Sequence, residues 1–226
     1  MTNWEDSMND RAVRVGGLAA IAFVVLILVT VFASGQPPSA DDSVEKIREY
    51  LVDHRTAMLV SQLLGLIALP FAIWFSVVLR DLVRGDRMSN ALGLASLAGL
   101  LVTAPMAMAG GAISISPIYV DGVANKLGDD TIRIVFEAQS LLFACTSAGI
   151  VLFALTAALA IRRTRALPSY TMWLGLLAVA GNIVAMFTVL GAGASNLGFL
   201  GLLTFALFLL GAGGTMAAGK ATPATV

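Results

Sequence analysis

Charged residues in this chain are confined to short islands between long apolar stretches. The windows 15–40, 56–79, 88–120, 138–161 and 166–219 contain no Asp, Glu, Lys, Arg or His. A helix needs roughly 20 apolar residues to cross a bilayer, so the last window is long enough for two crossings. The pattern predicts six membrane-spanning helices, at about 13–34, 56–79, 89–112, 132–161, 170–190 and 197–217. The fold class that follows is all-α, a polytopic six-helix transmembrane bundle forming one integral membrane domain over residues 1–226. The run from Val15 to Ala33 exceeds the roughly 7–15 apolar residues of a secretory signal. It is therefore expected to stay in place as the first span.

One connection has a periodicity of its own. Asp42 followed by Glu45 resembles a capping-box start. Val44, Ile47, Leu51 and His54 then recur at helical spacing. The segment 42–54 is expected to form an amphipathic helix on the outer surface, with Val44, Ile47 and Leu51 buried. It could act as a lid or docking element, or pack on the spans and headgroups. In the loop 113–131, the pair Asp129-Asp130 reads as a solvated helix start. A calcium site needs six to eight oxygens.

Basic residues set the expected orientation. Arg11, Arg14, Arg80, Arg84, Arg87, Arg162, Arg163, Arg165 and Lys220 fall on one side of the six spans. Lys46, Arg48, Arg55, Lys126 and Arg133 fall on the other. Nine against five places both termini in the cytoplasm. Arg outnumbers Lys eleven to three, and Ala, Gly, Val and Leu dominate. That composition suggests a GC-rich bacterial genome, and hence the bacterial inner membrane.

Composition narrows the chemistry. Hydrophobic residues make up 58% and charged residues 12%, against about 25% charged in a soluble domain. The net charge is zero, which removes any electrostatic case for nucleic acid. His54 is the only histidine and Cys145 the only cysteine. They allow no disulfide, no metal site and no haem ligation within the spans. Cys145 is expected to be a small buried hydrophobe. No cofactor is expected. No nucleophile–base pair stands out, so an enzyme is disfavoured.

Polar residues inside spans remain the candidates for function. Glu137 lies 25 residues before Arg162, about 37 Å along a helix, whereas the hydrocarbon core is about 30 Å thick. It should sit at the outer headgroup level, ionised, beside Arg133 and a helix start. Gln62, Gln139 and Ser140 lie near that boundary, and Thr103 in the outer half. Asn182 is twelve residues from Tyr170, about 18 Å, close to the midplane. Two readings follow. Gln62, Thr103, Glu137 and Gln139 could form the mouth of an outward-opening cavity with Asn182 at its floor, as in a small-solute or proton-coupled transporter. Alternatively these residues are hydrogen-bond glue between helices, with Pro70 and Pro105 as kinks repaired by neighbours. The second reading implies a non-catalytic structural or complex-forming subunit. Its partners would be the lipid bilayer and a membrane protein or a second copy of the chain.

Small residues four apart suggest close helix approach: Ala91, Ala95 and Gly99; Ala144 and Ala148; Gly181 and Ala185. Gly110-Gly111, and Gly211 with Gly213-Gly214, suggest loosened or ending helices. Met106, Met108 and Met186 read as gap fillers or lipid contacts. Tyr170, Trp173 and Trp74 fit an interfacial belt. Leu64-Gly-Leu-Ile-Ala in span two matches Leu174-Gly-Leu-Leu-Ala in span five. Both are central spans of a three-span half, an arrangement found in inverted repeats.

Arg11-Ala-Val-Arg-Val-Gly-Gly-Leu enters span one, a capped surface helix precedes span two, and Leu167-Pro168 leads into Trp173-Leu-Gly-Leu-Leu. In these features, over roughly residues 11–190, the chain resembles the bacterial six-span proteins grouped as domain of unknown function 4386. The resemblance implies a helical membrane fold and assigns no activity, cofactor or site residue.

Overall fold

The computed structural model describes residues 2–35, 37–38, 42–190 and 197–222, with side chains from Asp10 onward in the first helix. The helices are α1 (Thr2–Ala33), α2 (Val44–Asp53), α3 (Arg55–Leu82), α4 (Arg87–Ile115), α5 (Asp129–Thr164), α6 (Ser169–Met186) and α7 (Leu197–Ala217). A 3-10 turn, Phe187–Leu190, extends α6. Among the described residues, six helices are long and apolar enough to cross a membrane: all but α2, with α1 contributing Asp10–Ala33. The chain is a multi-pass membrane protein of the all-α class.

Local chemistry sets the helix ends. Asp86 caps α4, accepting from the Ser89 amide at 2.9 Å. Asp129 and Asp130 open α5, and Arg162 and Arg163 close it, each sign suiting the helix dipole. Arg165, at φ 55°, takes the left-handed position after α5, where glycine is the usual occupant. Its amide donates to Ile161 O at 2.8 Å. The surface helix starts one residue later than the capping-box pattern suggested. Ser43 is the cap and its hydroxyl accepts from the Lys46 amide at 3.3 Å, whereas Asp42 pairs with Lys46 Nζ at 2.8 Å.

The spans pack in chain order, α1 on α3, α3 on α4, α4 on α5, α5 on α6 and α6 on α7, and α7 closes on α1. One apolar core takes residues from all six, among them Val24, Phe75, Leu100, Phe153, Ala178 and Phe208. Phe153 meets Phe205 edge-on at 5.8 Å and Phe208 at 6.0 Å. These rings fill the centre, where α5 and α7 also touch. A second, smaller core lies at the other end. There Ile47 and Leu51 of α2 pack with Met58, Ile118, Ile132 and Phe136, so the expected buried face of α2 is present at these two residues, with Val44 only partly buried against them.

Glycines set the closest crossings. A Cβ on Gly99 would lie 2.5 Å from Phe153 N and 2.7 Å from Gly149 O. A Cβ on Gly17 of α1 would collide with Gly213 and Ala217 of α7. Only a hydrogen at these positions lets the backbones meet.

Several sequence expectations change. Gly110-Gly111 and Gly211–Gly214 do not end helices: α4 continues to Ile115 and α7 to Ala217. Several of their glycines serve packing instead, whereas Gly214 faces open space. Gly111 lies under the Gln62 side chain, and Gly213 beside Gly17 and Ala20. The buried stripe of α4 is Ser89, Gly93, Ser96, Leu100 and Thr103, and Ala91 is exposed. Of the other small pairs, Gly181 and Ala185 are both buried, but Ala148 faces outward. Cys145 is exposed rather than buried. In a membrane protein an outward apolar surface is not open to water, so burial within the chain and removal from water are different things.

Candidate functional site

Of the five polar residues singled out in the spans, Gln62, Thr103 and Asn182 fall on three different helix pairs, and Glu137 and Gln139 both lie on α5. Gln62, half-buried on α3, rests on Gly111 of α4. Thr103 of α4 is buried, and its hydroxyl lies 3.0 Å from Gly99 O and 3.4 Å from Thr146 O of α5. Asn182 of α6 is 1% exposed. Its Nδ2 donates to Ala178 O on its own helix at 2.9 Å and to Gly201 O of α7 at 3.0 Å. Gln139 is half-buried, and Glu137 is exposed.

Asn182 thus donates across the α6–α7 seam, whereas the nearer acceptor of the single Thr103 hydroxyl proton is on its own helix and the contact across the α4–α5 seam is longer. Thr204 adds to the α6–α7 seam. Its hydroxyl bonds Leu200 O and Gly201 O, both at 3.0 Å, and a Cβ on Gly181 would collide with it. The α1–α3 seam is joined at the end bearing α2 by Ser34 Oγ and Ser61 Oγ at 2.9 Å. Ser61 also bonds Thr30 O at 3.2 Å. Among the described residues, Ser76 Oγ of α3 is the buried side-chain polar atom without a hydrogen-bond partner.

The most connected polar groups lie at the end that carries α2. Arg48 of α2 reaches into the loop before α5. It donates to Leu127 O at 3.0 Å and Asp129 Oδ1 at 2.7 Å, and also contacts Ala124 O. Arg55, at the start of α3, donates to Ile118 O at 2.8 Å and Tyr119 O at 3.2 Å. Two arginines therefore clamp the loop 116–128 against α2 and α3. Tyr50 ties α2 to the end of α1, donating to Ser34 O at 2.8 Å. Burial of its ring raises the phenol above its ordinary acidity range. His54 stacks on that ring at 4.5 Å. Sequence reasoning used Arg48 and Arg55 only to count charge. Both fall within or beside the amphipathic segment, and that placement was the available signal for a structural role.

At the other end Arg163 Nη2 meets Asp86 Oδ2 at 2.5 Å. The guanidinium and the Ser89 donors hold the Asp86 carboxyl well below the usual carboxylate range. The contact joins the α3–α4 turn to the end of α5. Thr222 N donates to Ala166 O at 2.9 Å, bringing the segment after α7 to the same end. The nine basic residues of the richer set lie at this end, and the five of the other set at the end bearing α2.

Among the described residues, no cluster of three His, Cys, Asp or Glu side chains is placed to hold a metal ion. No protein-family model, curated protein sequence or solved structure matches the chain. The likeness to the domain of unknown function 4386 proteins rests on the sequence features alone.

Proposed function

We propose that this protein is a non-catalytic subunit of the bacterial inner membrane, holding or organising a membrane assembly, with both termini in the cytoplasm. The observation that carries the reading is how the intramembrane polar groups are used. Asn182, the most deeply placed, is 1% exposed and bonded to carbonyls of α6 and α7. Thr103 sits at the α4–α5 seam, bonded to Gly99 O of its own helix and in longer contact with Thr146 O. Side chains so engaged hold helices together and leave few donors for a passing solute. The apolar core shared by all six spans supports the same reading. Orientation rests on the basic end, with arginines at the ends of α3 and α5 as the positive-inside rule requires.

Cross-linking in native membranes followed by purification tests the proposal. A fixed-ratio assembly, with a partner protein or further copies of the chain, is the expected result. A monomer that carries solute or protons across proteoliposomes overturns it.

A further inference from the structure

The basic end contains a recess of about 600 Å³ between the end of α5, the start of α6 and the segment after α7. Three cations line it: Arg162, Arg165 and Lys220. All three are exposed, and among the described residues none of their side chains makes a hydrogen bond or ion pair. No acidic side chain lines the recess. The nearby Asp86 is occupied by Arg163. Pro168 precedes α6 and offers no side-chain cap, so the first amides of α6 add partial positive charge at the same place.

A second hollow of about 260 Å³ continues from the first and shares Arg162 and Met172 with it. Its other walls are Ala158, Leu159, Trp173 and Leu176. It runs along the α5–α6 seam away from the charged end, and apart from Arg162 its lining carries no charge. Trp173 is 64% exposed and Tyr170 50%, as expected of rings at headgroup depth.

A cationic recess opening into an apolar groove at headgroup depth has the shape of one ligand class. We infer that it binds an anionic phospholipid of the leaflet at the basic end. Arg162, Arg165 and Lys220 hold the phosphate, and an acyl chain lies between α5 and α6. Basic recesses between spans on the cytoplasmic side recognise such headgroups by charge. The inference needs only a membrane-embedded chain. It stands whether the protein is a subunit or a carrier.

The test uses the full chain in detergent, titrated with dioleoyl phosphatidylglycerol and separately with dioleoyl phosphatidylcholine. Bound lipid is counted by native mass spectrometry. Each Lys or Arg near an anionic lipid contributes about fivefold in affinity. The triple variant Arg162→Gln, Arg165→Gln, Lys220→Gln should therefore bind phosphatidylglycerol about 100-fold more weakly. The control triple, Arg11→Gln, Arg84→Gln, Arg87→Gln, removes equal charge from the same end and should lose less than about threefold. If the first triple does not fold, Lys220→Gln alone, beyond the end of α7, should weaken binding about fivefold. Equal losses in the two triples, or equal binding of phosphatidylcholine, overturn the inference. So does displacement of the lipid by millimolar inorganic phosphate, which would mark a site for free anion rather than lipid.

Discussion

Adding one methyl group at Gly99 gives a sharp test of how the bundle is held. A Cβ there would lie 2.5 Å from Phe153 N, 2.7 Å from Gly149 O and 3.0 Å from Phe153 Cα. All three are backbone atoms of α5, so no side chain can swing aside. Ordinary contact begins near 3.4 Å, and α4 and α5 must part by about 1 Å. A gap of that size forfeits a quarter to a half of the dispersion energy of the atoms along it. It also lengthens the contact between Thr103 Oγ1 and Thr146 O, already 3.4 Å. Overpacking of this kind costs about 1–3 kcal/mol. Alanine's advantage over glycine in a helix is about 0.8–1 kcal/mol. It largely cancels here, because separated spans stay helical in lipid. Gly99→Ala should therefore lower stability by about 1–3 kcal/mol. Gly149→Ala, whose Cβ would strike Thr103 Oγ1, should do the same, and the two should not add. Gly65→Ala is the control. It has open space around it and should change stability by less than about 0.5 kcal/mol. SDS titration in mixed micelles, followed by tryptophan fluorescence, measures all three. If Gly99→Ala is as stable as the parent, or Gly65→Ala loses as much, the close α4–α5 crossing is wrong.

Asn182→Ala removes both amide bonds at the α6–α7 seam and should destabilise the bundle by about 1–2 kcal/mol in the same titration. An unchanged midpoint would mean that Asn182 holds nothing. Asp86 is held below the ordinary Asp value near 3.8, so its contribution is complete above about pH 4 and declines as pH falls toward the folded-state value. Asp86→Asn should abolish that part of the acid dependence while leaving the profile above pH 5 parallel to the parent, as read by thermal melts across pH 2–7. With Cys145 replaced, Arg84→Cys and Arg163→Cys should resist an impermeant thiol reagent in whole cells, and labelling of either would reverse the topology.

Much of the fold was legible because crossing a membrane imposes a one-dimensional rule. Charge-free length marked six helices; the structure extends the second, third and fourth by a few residues at each end, matches the sixth, and begins α1 well before the expected span. The α2 face was legible because Ile47 and Leu51 recur at helical spacing on an otherwise polar segment. Packing was less legible. Spacing by four marked Ala91, Ala95 and Gly99 alike, yet only Gly99 sits at the crossing, since the face a span turns inward depends on its neighbours. Cys145 shows the same limit: hydropathy gives its depth and not its direction. The matching glycines of the repeat-like motifs also diverge, Gly65 in open space and Gly175 against Ala158. Thr103 and Asn182 were identifiable as polar groups in spans. Their partners, Thr146 O and Gly201 O, are backbone atoms and leave no mark on the residue string. The cationic recess was invisible for a similar reason, because Lys220 joins Arg162 and Arg165 only through the packing of α7.

The proposed subunit role requires that Asn182, bonded to carbonyls of α6 and α7, lie in an interior closed to water. Asn182→Cys, made with Cys145→Ala, tests it most directly through reaction with a charged methanethiosulfonate reagent from each side of reconstituted vesicles. Tyr119→Cys, exposed at the α2 end, is the positive control. Full labelling is expected at position 119 and none at 182 from either side over the same time. Labelling at 182 at a comparable rate would reveal a water-filled path to the midplane and would establish a carrier in place of a structural subunit.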